Sequence, residues 1–416
     1  MSIWNVKGGN TLGGSLAVQG AKNAVLPIMA ASILTGCETE LLNVPQLSDV
    51  QATIRILRSV GCTVTVDGDV VGIDSTGVCR SEVPDELMHQ LRSSIIFLGA
   101  LLARCGEARL SMPGGCALGR RPVDQHLKVL RALGAEIEET DGHILCRSRG
   151  LRGTRIELDM PSVGATENAM LAACAAEGTT VLTNAAREPE IADLQEYLRR
   201  LGANVSGAGT GTVTVAGFDP QPRVGHRIMP DRIVASTLLC AAAAAGGDLE
   251  LRGLAPRTFS SVTAVLSEMG CQLRTTRRSV RILSDGRLRA PGPIATGPYP
   301  GFPTDAQPLL MAACLRARGT TLFVENMFEN RYGQVSEFVR LGADVRTVGK
   351  LAVVNGVERL TGAEVSATDL RAGAALVTAA LAAEGESRIH DAGHIDRGYF
   401  DLDGSLRYLG AEVFRS

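Results

Sequence analysis

Apolar and polar positions along the chain form a pattern that recurs six times. Its clearest phrase is an amphipathic run closing on a glycine: LRSVGCTV, LRALGAEI, LRRLGANV, LSEMGCQL, VRLGADV and LRYLGAEV. The glycines are Gly61, Gly134, Gly202, Gly270, Gly342 and Gly410, spaced by 73, 68, 68, 72 and 68 residues. Six units of about 70 residues therefore span the chain, and such a period defines the fold before any single element does. Ahead of the first glycine, DVQATIRILRSVG puts Val50, Ile54, Leu57 and Val60 on one helical face. After it, TVTVDGDVVGI alternates around a turn and reads as a hairpin.

A second series runs in step with the first. Ala-rich stretches such as ATENAMLAACAAEG, DRIVASTLLCAAAAAGG and DLRAGAALVTAALAAEG end at Gly36, Gly106, Gly178, Gly246, Gly319 and Gly385. They are apolar on most faces, which predicts buried helices, and glycine past each end suits a left-handed cap. Short strands such as TELLNV, TTVLTN and TTLFVEN follow, and one more strand should precede each buried helix. The last unit stops at GAEVFRS, one hairpin strand short, and the N-terminal SIWNVKG could supply it. The expected fold class is α/β, with two domains of three βαβαββ repeats each. One domain would join residues 1–21 to 230–416, and the other would be 22–229. A continuous solenoid fits less well, because its repeats run about 20–45 residues.

Composition narrows the function more than the fold. With 45% hydrophobic and 21% charged residues among 416, the chain can build its core without disulfide or metal staples. Lys plus Arg (42) nearly balances Asp plus Glu (44), and there are only one Trp, five Tyr and nine Phe. That balance lacks the basic footprint and stacking platforms of nucleic-acid binders. No apolar run approaches the roughly 20 residues of a membrane span, and MSIWNVKGGN shows no signal peptide. The ten cysteines form no CxxC pair, so a reducing cytoplasm is expected. His390 and His394 are four apart, but the turn-like DAGHIDRGY argues against a helical metal pair. GAGTG at Gly207–Gly211 lies between two strands and reads as a hairpin turn. Nothing indicates a metal or an organic cofactor.

Candidate chemistry collects at the heads of the buried helices. In order these carry Lys22 and Asn23; Arg92, Ser93 and Ser94; Ser162 and Glu167; Asp231 and Arg232; Thr304 and Asp305; Asp369 and Arg371. Ser, Thr, Asp and Asn are ordinary N-caps. Capping does not explain Lys22, Arg92, Arg232 or Arg371, since a cation opposes the positive end of the helix dipole. A polyanionic ligand would offset that cost. The second concentration is PGGCALGRRPVD at Pro113–Asp124, whose glycines and prolines predict a mobile loop. In it Cys116 lies close to Arg120 and Arg121, charges that would favour its thiolate. A chemical role and an ordinary loop position both remain open for Cys116 on this reading. Most of the other cysteines sit within repeat elements and suit buried, small-hydrophobe roles.

The motifs together are specific. GAKNAVLP at Gly20–Pro27, PGGC at Pro113–Cys116, RPVD at Arg121–Asp124 and SVGAT at Ser162–Thr166 resemble the enolpyruvyl transferase family that opens peptidoglycan synthesis. NAAREPEI at Asn184–Ile191, FPTD at Phe302–Asp305, FENR at Phe328–Arg331, DLRAGAALV at Asp369–Val377 and HIDRGY at His394–Tyr399 extend the resemblance across all six repeats. The resemblance implies a pair of inside-out α/β barrels with threefold internal repeats. It implies bacterial cell-wall chemistry in which phosphoenolpyruvate and UDP-N-acetylglucosamine give the 3-O-enolpyruvyl product and phosphate, by addition then elimination.

Residue by residue, the resemblance makes Cys116 the general acid, on a loop acting as lid and open to alkylation by the epoxide fosfomycin. Asp305 would be the base for the sugar hydroxyl. Lys22, Arg121 and Arg397 would hold the phosphate and carboxylate of phosphoenolpyruvate. Asn23, Arg92, Pro122, Val123, Asp124, Gln125, Ser162, Val163, Gly164 and Met327 would line the nucleotide-sugar site, supported by Asp231, Glu329, Arg331, Asp369 and Arg371. No nucleic-acid partner or membrane insertion is implied, and protein partners are left undefined. Ser48 stands where some members carry Lys, Arg120 where a small residue is frequent, and Tyr332-Gly333-Gln334 where an aromatic-Met-His sequence is usual. A shikimate-pathway transferase would share the fold but lack the lid cysteine. Transfer to another nucleotide and a catalytically silent paralogue are the remaining alternatives.

Overall fold

The computed structural model describes residues 2–90, 92–112, 123–140 and 142–416, with backbone alone for His89, Gln90 and Arg92. Two compact units divide the chain. A middle unit lies within Gly20–Met229, and a terminal unit joins the residues through Gln19 to Pro230–Ser416.

Each unit is built around three buried helices. In the middle unit these are α1 (Lys22–Ala31), α2 (Phe97–Cys105) and α3 (Val163–Ala173). In the terminal unit they are α4 (Arg232–Ala245), α5 (Gln307–Cys314) and α6 (Leu370–Leu381). Their alanines leave no bulky ridge, so the helices approach closely and bury nearly every face. In α4 every residue from Arg232 to Ala244 is buried. The three terminal-unit helices pack on one another, and in the middle unit α2 packs on both α1 and α3.

Sheets form the outer wall of each unit, one to a repeat. In the third repeat Arg155–Glu157 runs parallel to Thr179–Thr183, which pairs antiparallel with Thr212–Phe218. Ala203–Ser206 completes that sheet antiparallel to Thr212–Phe218, with the GAGTG turn between them. The second repeat has a three-stranded sheet, where a single parallel bridge from Glu82 to Arg109 stands for the fourth strand. The chain end lacks a strand of its own, and Trp4–Lys7 lies between Glu386–His390 and Glu412–Arg415, antiparallel to both.

Two strands break the uniform scheme of one leading strand per helix. Leu12–Ala17, ahead of α1, pairs with Gly247–Arg252 of the α4 repeat. Arg223–Arg227, ahead of α4, pairs with Glu38–Leu42 of the α1 repeat. The two leading strands are exchanged because the chain passes between units just after each of them.

The six glycines of the LGA-type phrase all take the left-handed conformation, from φ 89° at Gly342 to φ 113° at Gly61. The second glycine series differs from expectation. Gly106 and Gly246 directly follow α2 and α4 at φ 72° and 83°. By contrast α3, α5 and α6 end earlier, on Cys174, Leu315 and Ala382 in the right-handed region, and Gly36 has no positive φ. After α3, Cys174, Ala175 and Ala176 donate to the carbonyls of Leu171, Ala172 and Ala173 at 3.3, 3.1 and 3.1 Å. These three-residue steps satisfy the free carbonyls, so the glycine is needed only to leave the turn.

Among the described cysteines Cys37, Cys62, Cys146, Cys174, Cys240, Cys271 and Cys314 are buried, and Cys79 and Cys105 are exposed. Burial pushes the Cys62, Cys146, Cys174 and Cys314 thiols up to about 12, which makes them inert packing groups. No helix among the described residues is long and apolar enough to cross a membrane.

Candidate active site

In the terminal unit three aspartates stand at three helix heads, and two of them are caps. Asp231 accepts from the Ile233 and Val234 amides at 2.8 and 3.1 Å at the head of α4. Asp369 accepts from the Arg371 and Ala372 amides at 2.7 and 2.9 Å at the head of α6. The head of α5 is built differently. Its cap position is Ala306, without a side-chain cap, and Asp305 turns instead to two guanidinium groups. Arg331 Nη2 donates to Oδ1 at 2.8 Å, and Arg371 Nη2 donates to Oδ2 at 3.3 Å. The side chains of Arg331 and Arg371 are 1% and 2% exposed, and that of Asp305 is 29% exposed. Two buried cations thus fix a carboxylate that remains open to approach.

The surrounding contacts explain how buried guanidinium groups are tolerated. Arg331 also donates to the Thr304 carbonyl from Nε and Nη2, at 3.1 and 3.0 Å. Arg371 lies 5.3 Å from the Tyr399 ring centre, an arrangement that favours a cation, and the Tyr399 hydroxyl shares a hydrogen bond with Thr237 at 2.9 Å. Burial alone would lower the Arg371 pKa, but Tyr399, Asp305 and Asp231 more than offset that and raise it. Arg232 is buried with its guanidinium 5.6 Å from the Tyr299 ring centre. Two of the four cations that opposed simple capping, Arg232 and Arg371, therefore have partners within the unit.

Glu325 organises the neighbouring loop, and nothing in the residue patterning singles it out. It is buried and accepts from Thr304 Oγ1 at 3.1 Å, from the Met327 amide at 2.8 Å and from the Phe328 amide at 3.1 Å. This fixes the turn that carries half-buried Met327 and exposed Glu329. Tyr332, which keeps the aromatic of that pattern, has a structural role, its hydroxyl proton shared between the Lys350 and Phe323 carbonyls at 2.9 and 3.2 Å. Arg397 is half-buried at the end of the 3-10 turn Ala392–Arg397.

In the middle unit Lys22 begins α1 and forms an ion pair with Asp49, which is buried. Asp49 lies in the first turn of the Ser48–Val60 helix, where an acid reads as an ordinary dipole partner, so the sequence concealed it. Ser48 and Asn23 are exposed. Ser162 is the cap of α3, its Oγ accepting from the Ala165 amide at 3.4 Å, so here the plain capping role holds.

Val163 and Gly164 are half-buried in the first turn of α3. A Cβ on Gly164 would come 2.8 Å from His126 Cε1. His126 in turn shares a 2.7 Å hydrogen bond with Asn168, whose Oδ1 accepts from the Gly99 amide at 2.7 Å. Val123 is half-buried, Asp124 is exposed, and Gln125 Oε1 accepts from the Asp159 amide at 3.1 Å. Glu167 is buried, and burial, reinforced by Glu190 and Glu188, raises its pKa well above the usual carboxylate range. The same burial and neighbouring acids favour its protonated form.

Cys116, Arg120, Arg121 and Pro122 lie outside the described residues, as does the Arg92 side chain. The described site residues are therefore brought together in two groups, Asp305 with Arg331 and Arg371, and Lys22 with Asp49. Among the described residues no group of His, Cys, Asp and Glu is arranged to hold a metal ion. Chemically, the Asp305 carboxylate can take a proton from an approaching hydroxyl, and Lys22 can present a charge to an anion.

The EPSP synthase (3-phosphoshikimate 1-carboxyvinyltransferase) family model matches residues 6–406. UDP-N-acetylglucosamine 1-carboxyvinyltransferase 2 of Caldanaerobacter subterraneus is 46% identical over 415 residues, covering 100% of both chains. UDP-N-acetylglucosamine 1-carboxyvinyltransferase 1 of Staphylococcus aureus is 46% identical over 414 residues, 99% of this chain and 98% of the relative. The enolpyruvyl transferase NikO from Streptomyces tendae superposes with a TM-score of 0.89 at 27% identity, covering 100% of this chain and 99% of NikO. EPSP synthase from Acinetobacter baumannii shares the fold, with a TM-score of 0.75 at 19% identity over 100% of both chains. The chain belongs to the enolpyruvyl transferase family, on the branch of the UDP-N-acetylglucosamine 1-carboxyvinyltransferases.

Proposed function

We propose that the chain transfers the enolpyruvyl group of phosphoenolpyruvate to the 3-hydroxyl of UDP-N-acetylglucosamine and releases phosphate, the committed step of peptidoglycan synthesis. The observation that carries this reading is 46% identity over 415 residues with a relative of that name. Asp305 takes the hydroxyl proton as the sugar oxygen adds to C2 of phosphoenolpyruvate, and the Cys116 thiol delivers a proton to the methylene carbon. Loss of phosphate from the tetrahedral intermediate, with a proton of the new methyl group passing back to the Cys116 thiolate, then restores the double bond.

Lys22, Arg121 and Arg397 hold the phosphate and carboxylate of phosphoenolpyruvate. Cationic groups placed where charge develops lower the barrier most when they are already fixed. The Asp49 pair fixes Lys22 in that way. Asn23, Arg92, Pro122, Val123, Asp124, Gln125, Ser162, Val163, Gly164 and Met327 contact the nucleotide sugar. Arg331 and Arg371 position Asp305, and Asp231, Asp369 and Glu329 support the same region. The bacterial cytoplasm is the proposed location.

Purified protein with both substrates should release phosphate in proportion to enolpyruvyl product, and a Cys116→Ser variant should resist alkylation by the epoxide. Phosphate release with a different nucleotide acceptor, and none with UDP-N-acetylglucosamine, would overturn the substrate assignment. No release with any acceptor would overturn the reaction.

A further inference from the structure

We propose that the terminal unit carries a second anion site, a cavity of about 570 Å³ lined by Arg287, Arg289 and Arg318, which binds a small molecule bearing two or more phosphate groups. The charge there is concentrated against the balance of the chain. Residues 272–290 hold six arginines and a single acid, Asp285, in a protein of net charge −2. Arg289 and Arg318 are partners in a parallel bridge between neighbouring segments. Like charges set side by side on adjacent strands repel.

A single acid, Asp285, stands against these three arginines in the lining. Among the described residues none of the three arginines makes an ion pair. Asp285, the one acid in the lining, accepts the Arg287 amide on Oδ1 at 2.9 Å and forms no ion pair with the three guanidinium groups. The nearby end of α4 offers no open carbonyl at Ala243, because Ser284 Oγ donates to it at 2.9 Å. Leu283 adds an apolar wall, 45% exposed. The volume lies within the roughly 300–1,000 Å³ of small-molecule sites. Guanidinium forks bind phosphate oxygens two at a time, so three forks suit a diphosphate better than a single carboxylate.

The position separates this cavity from the Asp305 group. Asp285 and Ser284 border the C-terminal end of α4, whose opposite end carries the Asp231 cap. With 14 residues in α4 and 1.5 Å rise for each, the two ends are about 20 Å apart. The inference is independent of the reaction proposed above.

Inorganic pyrophosphate titrated calorimetrically into the full chain, with UDP-N-acetylglucosamine held saturating, tests it. One binding event should remain under saturation and weaken at least tenfold in an Arg287→Gln, Arg289→Gln, Arg318→Gln variant. Phosphate release in the transfer assay should be unchanged in that variant, which also shows that it is folded. Pyrophosphate binding equal in wild type and variant would overturn the proposal. So would hexaglutamate binding at these arginines in place of pyrophosphate, since that would mark an acidic protein partner.

Discussion

Replacing Asp305 by Asn separates the two roles that the geometry gives this side chain. The substitution keeps an oxygen facing Arg331 Nη2, now at 2.8 Å, but removes the charge between two guanidinium groups. Breaking a fully buried ion pair costs about 3–5 kcal/mol, because the remaining charge is stranded. Asp305 is 29% exposed, and Asp231 still supports Arg371, so about 2 kcal/mol is the reasonable expectation here. For a unit of roughly 200 residues that lowers the melting temperature by about 4–8 °C. The catalytic effect should be larger, since loss of a general base lowers kcat by about 10²–10⁴. Calorimetric melting and phosphate release measured on the same preparation read the two effects. A normal melting shift with kcat reduced less than about tenfold would refute the base role and leave Asp305 as structural. An unchanged melting temperature with collapsed kcat would refute the ion-pair reasoning.

Gly202→Ala should destabilise the middle unit by more than about 1 kcal/mol, the usual scale for a forced left-handed residue. Its φ is 110° and the new Cβ would meet the Asp219 carbonyl oxygen at 1.8 Å, so thermal melting should show the loss. Among the described cysteines, thiol labelling of the native protein at pH 8 should fall on Cys79 and Cys105 and spare the seven buried ones, as peptide mapping would show. The Glu167 pKa is raised on folding, so the folded state holds a proton that the unfolded chain releases above about pH 4.3. That contribution to stability is present at low pH and is lost as pH rises. A Glu167→Gln variant should therefore lose less melting temperature than wild type between pH 5 and 8.

The repeats were legible because they are written in features that need no tertiary context. The LGA glycines could be placed since only glycine takes φ near 100° without strain, and the buried helices since their alanines leave no polar face. The ends of those helices were harder to read. Carbonyls after Ala173 are satisfied by three-residue steps, which any sequence can adopt. Among site residues, Asp305, Lys22, Arg331 and Arg371 were found from their places in motifs, but Asp49 was not, and neither were the pairings themselves. Asp49 and Arg331 lie 27 and 26 residues from the groups they pair with, in other elements. Only the packing of those elements brings them together. Glu325 was missed for the same reason, because its amide and hydroxyl donors become neighbours only when the loop folds.

The threefold repeat of the terminal unit is broken where chemistry would need it broken. Three successive helix heads each carry an aspartate, and a simple repeat would make each of them a cap. Asp231 and Asp369 follow that rule, and an oxygen of each is committed to backbone amides. An aspartate used that way is tied to the helix, and taking a proton would weaken the cap. Asp305 is offset, with Ala306 in the cap position, so its carboxylate is held by side chains instead. Its orientation is then set by Arg331 and Arg371, which are themselves immobilised by burial. A carboxylate so held can change protonation state without loosening the helix it precedes. This predicts that Asp231→Ala and Asp369→Ala act mainly on stability, each by about 1 kcal/mol from the lost cap, while Asp305→Asn acts mainly on turnover, a contrast that one set of melting and rate measurements can decide.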